Sequence, residues 1–73
     1  MKVIKNAESE KYLSSIYIGR TEKVSPFAWT YYKKNAIHFE NEEIANAAID
    51  FIRDVMDWEL SEQLEVENCE DQM

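Results

Sequence analysis

The sequence holds one histidine, His38, and one cysteine, Cys69. A nucleophile–base pair or a zinc site needs such side chains in sets, at hydrogen-bond reach or at ligand spacing. His38 has no second histidine or cysteine at ligand spacing. Cys69 stands among Glu67, Glu70 and Asp71, whose negative charge opposes thiolate formation. The sole glycine, Gly19, cannot build a phosphate-binding loop, which needs several. These residues give no grounds to expect catalysis, a metal or a cofactor. His38 is expected to be an ordinary exposed or half-buried histidine.

Carboxylates are the abundant chemistry. Asp50, Asp54 and Asp57 recur at i, i+4 and i+7 with Glu43 and Asn46 close by. That spacing makes one stripe along a helix. A hard cation needs oxygens that converge, usually from a sharp loop, and a convex helix face makes them diverge. The stripe therefore reads as a solvated face or a surface for a partner. The chain carries net charge −7, and the charge is unevenly spread. Residues 1–39 hold seven basic and three acidic side chains, net +4, whereas residues 40–73 hold one basic and twelve acidic, net −11. Such asymmetry predicts two faces of opposite sign or an acidic tail.

Asp54, Asp57 and Glu59 also crowd the end of the helix expected there, where its dipole favours cations. Each such charge costs about 0.3–1 kcal/mol at low salt. Local rule-breaking is expected at functional sites, so the acidic end is expected to meet a basic partner. The partner-binding set is Glu43, Asp50, Asp54, Asp57, Glu59 and Glu62. Residues 40–59 carry net −6 over about 30 Å of helix. One charge per roughly 5 Å falls short of the one per ~1.7 Å of duplex DNA. Mimicry of nucleic acid would also need Glu62, Glu65 and Glu67.

The elements that must position these groups follow from pattern. Tyr12-Leu13-Ser14-Ser15-Ile16-Tyr17-Ile18 is aromatic and β-branched enough for a strand. Residues 20–26 form a loop, and Phe27–Tyr32 and Ala36–Phe39 are two further strands. A three-residue turn at Lys33-Lys34-Asn35 pairs Tyr31 with Ile37 and Trp29 with Phe39. That register gathers Phe27, Trp29, Tyr31, Ile37 and Phe39 on one face, and a one-residue slip would scatter them. Asn35 would then take the left-handed position of the turn.

The helix over about 41–58 is the clearest element, with Asn41 as N-cap and Glu42 and Glu43 in its first turn. Its apolar residues fill an arc of roughly 220° at 100° per residue, wider than a surface helix needs. The helix should therefore touch the sheet and something else. It should end or bend near Trp58, because Glu59 would fall inside the apolar arc. Leu60, Leu64 and Val66 suggest a short second helix, with a disordered acidic tail over 67–73. Residues 2–5 suggest an edge strand or a frayed arm, and a helix over Ala7–Ser15 is the alternative.

With Ile16 and Ile18 in the core, the outer sheet face gathers Leu13, Tyr17, Thr30, Tyr32 and His38, edged by Lys33 and Lys34. Aromatics flanked by lysines would suit stacking on single-stranded nucleic acid, at about 1–3 kcal/mol per base. The alternative site is thus Tyr17, Tyr32, His38, Lys33 and Lys34. The net acidity disfavours nucleic acid, and a dimer interface is the competing use of that face.

The fold class expected is α+β, a three-stranded antiparallel sheet on one main helix, with a short C-terminal helix or tail. Length allows one domain, placed at residues 1–66, with a small core. No stretch is apolar enough to span a membrane, and the lone cysteine fits a reducing, cytoplasmic setting. In size, charge and the Phe39–Trp58 strand-to-acidic-helix stretch, the chain resembles small acidic proteins of phages and prophages, anti-CRISPR-like inhibitors among them. That resemblance implies a non-enzymatic inhibitor that occludes a basic, nucleic-acid-binding groove of a host protein; it assigns no role to any residue. A homodimeric structural module is the remaining reading.

Overall fold

The polar run Asn6-Ala7-Glu8-Ser9-Glu10 separates two apolar-rich stretches and reverses the chain on one side chain. In the computed structural model, which describes residues 1–17 and 26–69, Asn6 Oδ1 accepts from the backbone N–H groups of Glu8 at 2.9 Å and Ser9 at 3.1 Å. Asn side chains favour this turn because they imitate a backbone carbonyl. Glu10 closes it in the left-handed region, at φ 63°. The hairpin joins β1 (Lys2–Asn6) to β2 (Lys11–Ile16).

With β3 (Phe27–Thr30) and β4 (Leu64–Asn68), these form an antiparallel sheet in the order β3-β2-β1-β4. The architecture is α+β with a main helix, as expected. The sheet, however, has four strands among the described residues instead of three. The expected N-terminal arm is an inner strand, with neighbours on both sides. No helix forms over residues 7–15; residues 7–10 are the turn.

Val3 and Ile4 are both fully buried. Successive strand residues point to opposite faces, so both faces of β1 are covered. Ile4 joins Leu13, Ala45 and Ile52 in the main core. Leu13 was expected on the outer face, and a bulge moves it. Leu13 pairs with Trp29 and Ser15 with Ala28, so Ser14 is an extra residue in β2. The extra residue lets Leu13 and Ile16, three apart, both reach the core, as strict alternation could not.

The expected hairpin between residues 27–32 and 36–39 does not form, because residues 37–39 bond to β1 and β2 instead of to β3. β1 and β2 pair directly at Lys5–Tyr12 and Asn6–Lys11. Further along, residues 37–39 bridge both strands. The Ile37 N–H donates to the Leu13 carbonyl at 2.9 Å, and Phe39 exchanges backbone bonds with Lys2 at 2.7 and 2.8 Å. Ile37 and Phe39 reach the core and His38 faces away, so the expected alternation holds against a different neighbour. Lys33–Asn35 is a 3-10 turn, and among the described residues only Glu10 is a non-glycine with positive φ. Asn35 is therefore not left-handed. Tyr31, without its expected partner strand, is exposed.

The helix starts as its sequence predicts. In α1 (Glu42–Phe51), Asn41 Oδ1 accepts from the Ile44 N–H at 2.9 Å. A π turn, Ile52–Met56, follows, closed by the Asp57 N–H on the Ile52 carbonyl at 2.7 Å. Asp57 is extended, and α2 (Trp58–Ser61) is a single turn. The break falls just before Trp58. The expected short helix over 60–66 gives way to β4, in which Leu64 and Val66 face the core opposite Asn6 and Ile4. The sheet continues through the expected tail boundary at 67. Cys69 is buried, and its N–H donates to the Met1 carbonyl at 2.9 Å. Ile18, most of the expected 20–26 loop and residues 70–73 lie outside the described residues. No described helix is long and apolar enough to cross a membrane.

Candidate functional site

All six carboxylates of the expected partner-binding set, Glu43, Asp50, Asp54, Asp57, Glu59 and Glu62, are exposed. They lie on consecutive elements from the first turn of α1 to the end of α2. Arg53 bonds Asp50 at 3.2 Å and Asp54 at 3.0 Å. The hydrogen bond from Arg53 lowers the Asp54 carboxyl below its ordinary range and raises the guanidinium in return. Two of the six charges are thus shared with one cation on the same surface.

Asp57 and Glu59 do not sit where the sequence suggested. The π turn ends the first helix before them, so they belong to the start of α2 rather than the end of α1. Asp57 Oδ1 accepts from the Leu60 N–H at 3.1 Å as N-cap of α2, and Glu59 is in its first turn. Carboxylates are favourable there. The conflict with the helix dipole is removed at both residues, and Asp57 acquires a structural task. Asp54 alone keeps the unfavourable position, offset by Arg53.

The opposite face of the sheet holds a second cluster, whose parts are far apart in sequence. Glu67 bonds Lys5 at 3.5 Å and Lys33 at 3.2 Å. Lys33 Nζ also donates to the Asn68 carbonyl at 3.0 Å and stands 5.8 Å from the centre of the Tyr12 ring. Burial pushes the Glu67 carboxyl up, but the Lys33 hydrogen bond and the charges of Lys33 and Lys5 outweigh it and hold the pKa below its ordinary value. The Glu67 hydrogen bond raises Lys33. Glu67 therefore turns away from any acidic display and ties the 3-10 turn over β1 and β4.

This strap changes the alternative site. Lys33 is occupied by Glu67, and His38 is half-buried with Nε2 2.9 Å from the Lys33 carbonyl. Tyr17, Tyr32 and Lys34 are exposed, but Leu13, expected beside them, is in the core. The expected open aromatic platform is crossed by residues 33–38.

Folding does bring the two scarce side chains together, which the sequence reading missed. Cys69 Sγ lies 3.6 Å from His38 Nε2. A carbonyl can only accept, so the bond to Lys33 O places the proton on Nε2. The nitrogen nearest the thiol then has no lone pair with which to take the thiol proton, and the pair lacks the polarity of a nucleophile and its base. The strict alternation Leu64-Glu65-Val66-Glu67 was the available signal for a strand there, and Cys69 follows directly on its last residue. Among the described residues, no group of three or more His, Cys, Asp or Glu gathers to hold a metal. Comparison of the chain with protein-family models, curated proteins and solved structures finds no match.

Proposed function

We propose that this chain is a non-enzymatic protein-binding module that presents the acidic surface of α1, the π turn and α2 to a basic surface of a protein partner. The observation that carries the reading is the separation of charge in space. Glu43, Asp50, Asp54, Glu59 and Glu62 are exposed on the helical side, while Lys5 and Lys33 are held on the other side of the sheet by Glu67. Electrostatic complementarity of this kind favours fast encounter with a cationic partner and repels nucleic acid. An inhibitor that covers a nucleic-acid-binding groove is one form such a module takes.

The test uses a variant that spares the Asp57 cap: Asp50→Lys, Asp54→Lys and Glu62→Lys. Protein captured from native host extract by the wild type, and released by salt, should not be captured by the folded variant. Undiminished capture by that variant would end the reading.

A further inference from the structure

The sheet uses only part of the helix's wide apolar arc. Ala45 and Ile52 are fully buried, with Ala48, Ile49 and Met56 against the same core. Ile44 remains 45% exposed, Phe51 37%, Val55 65% and Trp58 59%. Ile44, exposed Ala47 and Phe51 stand at i, i+3 and i+7, on one side of α1. Val55 follows Phe51 by close to one turn. Trp58 opens α2 just past the break. Large apolar side chains scattered singly mean little, but a strip of them is a mark of an interaction surface.

The charges around the strip select its occupant. Glu43, Asp50, Asp54, Glu59 and Glu62 are exposed on the same elements, and the cation among them, Arg53, is engaged by two aspartates. A second copy would bring an identical acidic rim against this one. Nucleic acids and anionic lipid surfaces carry the same sign. We infer that the strip seats an amphipathic, cationic segment of a protein partner. Its apolar side meets Ile44, Phe51, Val55 and Trp58, and its Lys or Arg side chains meet the rim. This is the packing of one amphipathic helix against another, in which apolar side chains spaced by three and four residues carry the contact. α1 and the π turn together span about 22 Å at ~1.5 Å per residue, so a partner segment of about 15 helical residues would match them. The inference rests on the binding-module reading and specifies the partner's chemistry.

The experiment titrates the full chain, by calorimetry, with an 18-residue Leu/Lys peptide of amphipathic helical pattern. A peptide of the same composition in scrambled order is the control. The patterned peptide should bind at least tenfold more tightly than the scrambled one. The Ile44→Ser/Val55→Ser variant should lose at least tenfold in affinity. Both changes are at exposed positions, and circular dichroism reports whether the fold is kept. Should the double variant unfold, Val55→Thr, which keeps the side-chain shape, is compared instead and should still weaken binding. Equal binding of the two peptides, or full binding by the folded variant, overturns the inference and leaves the charge reading standing. Failure of both peptides to bind also overturns it, and partner capture then decides the charge reading separately. Self-association of the free protein in sedimentation, abolished by the same substitutions, would assign the strip to a second copy and overturn it as well.

Discussion

Removing the charge of Glu67 should loosen the strap without touching the helical side. Glu67→Gln keeps the shape and gives up two ion pairs, to Lys5 at 3.5 Å and Lys33 at 3.2 Å. Exposed pairs contribute about 0.2–1 kcal/mol each, and this carboxylate is half-buried and shared by two cations. A loss of about 1 kcal/mol at neutral pH is expected, or roughly 4–8 °C in Tm for a domain of this size. The sign follows from linkage. Glu67 has a lowered folded pKa, so its contribution is present above the unfolded carboxylate value and is lost as pH falls through the folded value. Lys33 has a raised folded pKa, so its share persists below the unfolded lysine value and disappears as pH rises through the folded one. Urea denaturation of wild type and variant, at pH 7 and again below the carboxylate range, measures the difference. The many other carboxylates act equally in both proteins and cancel. Equal stability at pH 7 would refute the strap, as would a gap that persists undiminished in acid, where Glu67 is neutral like glutamine.

Asp57→Ala should cost about 1 kcal/mol through loss of the α2 cap, while Asp57→Asn, which can still accept from the Leu60 N–H, should cost far less; thermal unfolding compares them. Leu13→Ala empties a fully buried site and should cost about 2–5 kcal/mol in chemical denaturation. Deleting Ser14 should be worse than Leu13→Ala, because the bulge is what lets Leu13 and Ile16 share a face; a well-folded deletion variant with unchanged stability would contradict the register. Nitrogen chemical shifts of His38 at neutral pH should show the proton on Nε2, donated to the Lys33 carbonyl.

Much of the helical side was legible because its signals are local. Asn41 followed by two glutamates and a sustained apolar period names its own start, since a cap and a helix face need only neighbours within a few residues. The break near Trp58 was legible for the same reason, from Glu59 falling on the apolar side. The exposure of Glu43, Asp50, Asp54 and Asp57 followed directly from the polarity of the pattern, whereas Glu59 is exposed only because the helix breaks before it. The role of Asp57 was not legible. Whether it ends one helix or begins the next depends on the π turn, whose closing bond, from the Asp57 N–H to the Ile52 carbonyl, leaves no compositional trace.

The strand pairing was the harder part. Period-two alternation shows which residues of 37–39 and 64–67 share a face, but names no neighbour. Residues 37–39 bond to β2 and β1 rather than to β3, and β4 pairs along the other edge of β1. Asn6 made the first hairpin without glycine or proline, so its turn lacked the usual punctuation. The Lys5–Glu67–Lys33 group and the meeting of His38 with Cys69 depend on contacts between residues more than thirty positions apart. By itself, then, the chain settled its α+β class, the start of its helix and its charge. The tertiary structure alone decided which strands met, which acids became caps or anchors and which remained outside, because those choices are made by long-range packing and not by neighbours along the backbone.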